Sequence, residues 1–190
     1  MTNKEIEKEL EEIKEILKVL TKGENEPKNA TTFGEVKIGE QFIYRDKKFT
    51  KLSEDLALID TIDKKWGYCI FDGENNDYDT SVLREYINTI WLKKVDINLE
   101  DFETFDNGDH ARPLSLEEWK EYKGYIKKID DWSWLRSGVG YNAGYAYDLS
   151  PSGVDYGTSG VGDSRAVRLS IHFKSNTLIS VTISDKGDKE

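Results

Sequence analysis

The first apolar positions of the chain, Ile6, Leu10, Ile13, Leu17 and Leu20, recur at alternating intervals of four and three, the seam of a heptad helix. Thr2 and Glu5 fit a capping box at its start, and Gly23 sits where a left-handed C-terminal cap belongs. Leucine at a with isoleucine at d favours three or more strands. The spacing therefore predicts an N-terminal helix over 1–22 that joins copies into a trimer or higher oligomer, or docks on its own domain. Residues 23–32, GENEPKNATT, lack periodicity and read as a linker. Residues 33–190 are left for the main domain.

In that domain the period changes twice. EVKIGEQFIY, KKFTKL, LALID and WGYCIF are short β-branched and aromatic runs separated by polar turns such as RDKK, and they predict strands. Residues 80–92 then place Leu83, Ile87, Ile90 and Trp91 on one helical face, with Asp79 or Thr80 as N-cap. Ser115 and Glu118 form a capping box that opens a second helix in LSLEEWKEYKGYI, with Leu114 placed to staple onto Trp119. VRLSIHF and LISVTIS predict the last strands. Helix, strands, two helices and strands again make an α+β class.

Composition narrows the possibilities. A chain of 190 residues with 22 aromatics can bury a core without disulfides or metals. Cys69 is the single cysteine, which excludes a disulfide framework and a cysteine-cluster metal site. No apolar run is long enough to span a membrane and the charged start has no signal-peptide core, so a cytoplasmic or virion-associated location is expected. The net charge of −10 opposes binding to nucleic acid or an anionic membrane. Between Asp72 and Asp109, 11 acidic residues face Arg84, Lys93 and Lys94, a net of −8. Asp72, Asp77, Asp79, Asp101, Asp106 and Asp109 are thus candidates for a face that docks a basic protein, as an alternative to a plain solvated surface.

The segment from Gly138 to Gly162 carries seven glycines together with Tyr141, Tyr145, Tyr147 and Tyr156. Tyrosine offers a flat apolar face with a polar tip, and glycine permits tight turns; together with Ser and Asn they compose adaptable binding loops. The candidate ligand contacts are Tyr141, Asn142, Tyr145, Tyr147, Asp148, Ser152, Asp155, Tyr156, Ser159 and Asp163. Alternation in AGYAYDL sets Tyr145 and Tyr147 on one strand face with Ala146 and Asp148 on the other.

WSWLRS, then GYNAGYAYD, an SGV turn and RAVRL resemble the ending of a bacterial and phage domain family of unknown function that reads WWLRS…GVRPAL. SVLREYIN and RPLSLEEWKEY resemble earlier landmarks of the same family, so the likeness runs over roughly residues 35–172. Ala166 and Leu169 stand where the family usually has glycine and proline. The ending is similar to that of the C-type-lectin-like fold shared with formylglycine-generating enzymes. The resemblance implies a two-layer core that displays the 138–163 segment, with Trp132, Trp134, Leu135, Arg136, Val167 and Arg168 as scaffold.

Enzymatic readings find little support. The formylglycine-generating relatives need a redox-active cysteine pair, whereas Cys69 stands alone in an apolar run. His110 lies in a polar loop and His172 in a strand, and neither belongs to a hydrolase or metalloprotease motif. DGENNDYD and EDFETFDNGD offer hard oxygen ligands that would suit Ca²⁺, yet match no EF-hand spacing, so no cofactor is expected. Two non-enzymatic expectations remain. One is a phage or mobile-element recognition module for a carbohydrate or protein. The other is an intracellular anti-defence inhibitor of the anti-CRISPR type, docking on a basic host nuclease through the acidic segment.

Overall fold

The computed structural model describes residues 30–95 and 97–181. The heptad seam (Ile6, Leu10, Ile13, Leu17, Leu20) and the end of the last expected strand lie outside the described residues. In chain order the strands are β1 (Ala30–Thr32), β2 (Gln41–Tyr44), β3 (Lys47–Lys51), β4 (Leu56–Ile59), β5 (Tyr68–Ile70), β6 (Phe102–Glu103), β7 (Ser133–Gly138), β8 (Tyr145–Leu149), β9 (Tyr156–Gly160), β10 (Ser164–Ala166), β11 (Ser170–Phe173) and β12 (Leu178–Val181). The helices are α1 (Val82–Tyr86), which runs through a π-helical turn (Ile87–Trp91) into α2 (Leu92–Lys94), and α3 (Leu116–Tyr122). The fold is mixed α+β, with mostly antiparallel sheets and few helices.

A seven-stranded sheet has the order β1-β12-β2-β3-β4-β11-β6, and a five-stranded sheet the order β5-β10-β7-β8-β9. β10 and β7 run parallel, while β5–β10, β7–β8 and β8–β9 are antiparallel. β4 sits inside the first sheet and is buried at every residue, as a continuous LALI run requires of a strand covered on both faces. Ala57 and Ile59 face a cluster containing Phe42, Phe49, Phe173 and Trp134. Leu56 and Leu58 face a second cluster containing Leu116, Trp119, Leu135 and Leu149. Phe173 is the hub of the first cluster, with the Phe102 ring edge-on at 4.7 Å and the Phe33 ring stacked at 4.9 Å.

Local chemistry explains where elements start and stop. Ser115 Oγ accepts the Glu118 N–H and the Glu118 carboxylate accepts the Ser115 N–H, the reciprocal box its sequence predicts. Burial raises the Glu118 pKa, but the Ser115 N–H with Arg136 and Arg112 outweighs it and holds the carboxyl below the usual glutamate range. Leu114 and Trp119 are both buried in the second cluster. α3 ends at Tyr122, short of the expected GYI extension, where the Tyr125 N–H turns back onto the Tyr122 carbonyl. Arg45 and Asp46 take φ of 45° and 61°, so the polar turn between β2 and β3 is a two-residue mirror-image turn built without glycine.

Three further expectations are corrected. The N-cap of α1 is Ser81, whose Oγ accepts the Arg84 N–H, and not Asp79 or Thr80; Asp79 and Thr80 belong to a preceding 3₁₀ turn. Ile90 is exposed, because the π turn advances the helix phase and carries the buried stripe from Leu83 and Ile87 to Trp91. Ala30–Thr32, expected to end the linker, forms the edge strand β1 beside β12.

Candidate functional site: the tyrosine face of the second sheet

The register between β8 and β9 decides which candidate residues can meet a ligand. Tyr145 faces Gly160, Tyr147 faces Thr158 and Leu149 faces Tyr156, so all six share one side of the sheet. Ala146 with Ser159, and Asp148 with Gly157, share the other. That second side is closed. The Asp148 carboxylate accepts hydrogen bonds from Ser159 Oγ at 2.5 Å and Arg165 Nε at 3.2 Å, and Arg165 Nη2 donates to Ser159 Oγ at 2.8 Å. Asp148 and Ser159 are buried and brace β8, β9 and β10 against one another. They are therefore corrected from ligand contacts to framework, for the reason the alternation already contains: even positions of β8 point inward.

The first side is open at its Tyr145 end and along β9, and closes towards Leu149, which is buried in the second cluster with the candidate contact Tyr147 half-buried against it. Tyr145 and Tyr156 are each 45% exposed, and Tyr141, on the turn between β7 and β8, is 90% exposed. Val139, Tyr141, Asn142, Tyr145 and Thr158 line a depression of about 160 Å³. That is below the roughly 300–1,000 Å³ of enclosed small-molecule sites, and suits a surface contact. Tyr147 packs edge-on against Tyr156 at 5.7 Å, and Tyr156 against the buried Trp119 at 5.0 Å. The tyrosine row is thus tethered at the Trp119 end and free at the Tyr141 end. Ser152 and Asp155 are exposed on the turn between β8 and β9, at the far end of the row, and Asp163 is exposed on the turn after β9. Trp132, expected in the scaffold, is partly exposed. Its ring lies 3.2 Å from where a Cβ on Gly157 would stand.

The depression is held by a residue that sequence reasoning missed. The Asn76 side-chain amide donates to the carbonyls of Val139 (3.0 Å), Asn142 (3.0 Å) and Tyr145 (2.7 Å), clamping the turn that carries Tyr141. Gly138 makes room for it, since a Cβ there would lie 2.4 Å from the Asn76 side chain. Nothing in DGENNDYD marks one asparagine over its neighbour. Asn76→Asp removes the donors and turns a carboxylate towards three carbonyl oxygens. It should cost about 1–3 kcal/mol and speed amide exchange across 139–145, with the β2–β4 amides unaffected. Unchanged exchange in that turn would show that the clamp is dispensable.

The acidic segment is less of a surface than its charge count suggests. The Asp72 carboxylate accepts the backbone N–H groups of Glu74 and Val82, which hold it below the usual aspartate range. Asp109 is buried and takes Arg84 Nε on both oxygens at 3.0 Å, while Nη1 and Nη2 of Arg84 donate to the carbonyls of Asp79 and Asn107. Asp101 accepts the Tyr44 hydroxyl at 2.6 Å. Asp72 and Asp109 are thus corrected from docking residues to internal caps and partners; Asp77, Asp79 and Asp106 are exposed. A polar cleft of about 270 Å³ lined by Asp79, Arg84, Glu85, Asn88 and Asp109 has its one cation engaged with the protein's own groups.

Burial pushes the Cys69 thiol up to about 11, which keeps it protonated and unreactive at neutral pH. His172 lies in β11 with its ring 4.1 Å from that of Phe105, and the His110 backbone N–H is held by Asn88. Among the described residues no three His, Cys, Asp or Glu side chains gather to hold a metal ion. No helix among them is long and apolar enough to cross a membrane. Comparison with known proteins returns no matching family model, no matching curated protein and no matching solved structure.

Proposed function

We propose that the chain is a non-enzymatic recognition module of C-type-lectin-like fold whose tyrosine face binds a protein partner. The supporting observation is the contrast between the two sides of β8 and β9: one is locked by Asp148, Ser159 and Arg165, while the other exposes Tyr141, Tyr145 and Tyr156 around a shallow depression. Exposed tyrosines on a rigid strand supply contact area at little cost in side-chain entropy. The depression is too shallow to enclose a small molecule, and the Asn76 clamp keeps its rim in one conformation before a partner arrives. Asp77 follows Asn76 directly and is exposed, so the acidic segment contributes to the same recognition by favouring a partner with a basic rim.

The test is an array carrying oligosaccharides and lysine- or arginine-bearing peptides, probed with the parent chain and with Tyr145→Ala. Retention on basic peptides that weakens with salt and is lost in Tyr145→Ala is the expected result. Retention on neutral sugars alone would replace the protein partner with a carbohydrate, and retention indifferent to Tyr145 would refute the site.

A further inference from the structure

β9 ends the five-stranded sheet, and its hydrogen-bonding phase shows what it presents there. Immediately beyond the paired region the Ser150 N–H donates to the Asp155 carbonyl and the Val161 N–H to the Gly144 carbonyl. In an antiparallel pair, bonded and non-bonded residues alternate, so Gly157 and Ser159 exchange bonds with β8. Tyr156, Thr158 and Gly160 therefore direct their N–H and C=O groups to the open side. The Gly160 carbonyl accepts the Asp163 N–H at 2.8 Å; the other five groups have no partner among the described residues. Natural edges are blunted by lysine, proline, bulges or brevity. YGTSG has no lysine or proline, and pairs with β8 over five consecutive residues without a register shift.

We propose that this edge pairs with β9 of a second copy, antiparallel about a two-fold axis through Thr158, joining the two five-stranded sheets into one. The outward residues are self-complementary in that register. Thr158 meets Thr158 of the second copy, a favourable cross-strand pair. Tyr156 meets Gly160 of the second copy, a large residue opposite a small one on each side of the axis, so no two bulky side chains oppose each other there. The three facing pairs are all of the bonded kind: Thr158 with Thr158 exchanges two main-chain bonds, and each outer pair adds one from the free Gly160 N–H to the Tyr156 carbonyl, the Gly160 carbonyl being held by Asp163. A foreign strand could use the same groups, but the symmetric large-to-small match belongs to β9 against itself. Because Thr158 also lines the depression, the two tyrosine faces would meet at the axis as one doubled surface. Each copy carries a charge of −10, and Asp155 and Asp163 flank the seam, so added salt strengthens the pairing. The inference does not depend on the tyrosine face having a ligand.

The test uses the full chain, by sedimentation over a range of concentrations and salt together with residue-resolved amide exchange. Expected are a mass that doubles with concentration, more readily at high salt, and exchange at Tyr156, Thr158 and Gly160 that slows as the pairing forms. Thr158→Lys sets two ammonium groups opposite each other and should weaken association by roughly tenfold or more. Thr158→Pro removes an outward N–H without touching the β8 ladder and should do the same. Both should leave the unfolding midpoint of the dilute monomer within a degree or two. If the heptad segment also joins copies, larger masses appear, and the exchange at these three amides remains the criterion. Exchange at Tyr156, Thr158 and Gly160 that is independent of concentration, or slowing there that persists at Tyr156 and Gly160 in Thr158→Lys, would overturn the proposal.

Discussion

Arg168→Ala is expected to destabilise the fold by about 3–5 kcal/mol, because it leaves a carboxylate buried without its cation. Arg168 lies on the crossing from β10 in one sheet to β11 in the other and is 2% exposed. Its Nε donates to the Ile59 carbonyl at 2.9 Å and its Nη2 to Asp60 Oδ1, while Asp60 Oδ2 accepts from Gln41 and from Thr50. One guanidinium thus ties the crossing to the end of β4 and, through Asp60, to β2 and β3. Burial lowers the Arg168 pKa and Asp60 opposes that shift, so the pair coheres only as a pair. Asp60→Ala should cost a similar amount. Arg168→Met combined with Asp60→Leu should recover much of the loss, since removing both charges removes the desolvation penalty with the attraction. Urea unfolding of the three variants measures this. Equal, additive losses would mean that the residues act independently.

Trp134→Ala should cost about 3–5 kcal/mol by a different route, the cavity left by a large core side chain. Trp134 is 1% exposed, meets the Phe71 ring edge-on at 5.5 Å, and donates from its indole nitrogen to the Cys69 carbonyl at 2.9 Å. It stands on β7 and reaches across β10 to β5 in the same sheet, so its loss loosens the platform on which β8 and β9 rest. Trp134→Phe refills most of the volume but strands the Cys69 carbonyl, and should cost about 1–3 kcal/mol. Denaturant midpoints followed by far-UV circular dichroism would check both. A soluble Trp134→Ala chain of undiminished stability would refute the assignment of this residue to the framework.

Legibility in the sequence followed the range of the interactions involved. The Ser115 and Glu118 box, the LALI strand and the split of Tyr145 and Tyr147 from Ala146 and Asp148 rest on neighbours within four residues, and the structure has all three. Contacts spanning many residues were not readable. Nothing local tells that Asn76 clamps carbonyls more than 60 residues away, that Asp148 is neutralised by Arg165, or that Asp109 is committed to Arg84. A charge count cannot separate a solvated carboxylate from one folded inward, which is why the acidic face lost Asp72 and Asp109. The π turn at Ile87–Trp91 defeats a fixed 3.6-residue period, and so exposes Ile90.

The central claim is that framework and display face are separable, and the double variant Tyr141→Ala, Tyr145→Ala tests it most directly. Its urea unfolding free energy is to be measured beside its retention on the array ligand that the parent chain selects. The account predicts stability within about 1 kcal/mol of the parent, as for exposed positions, together with retention lowered by at least roughly tenfold. A loss of several kcal/mol, or retention equal to the parent's, would contradict it.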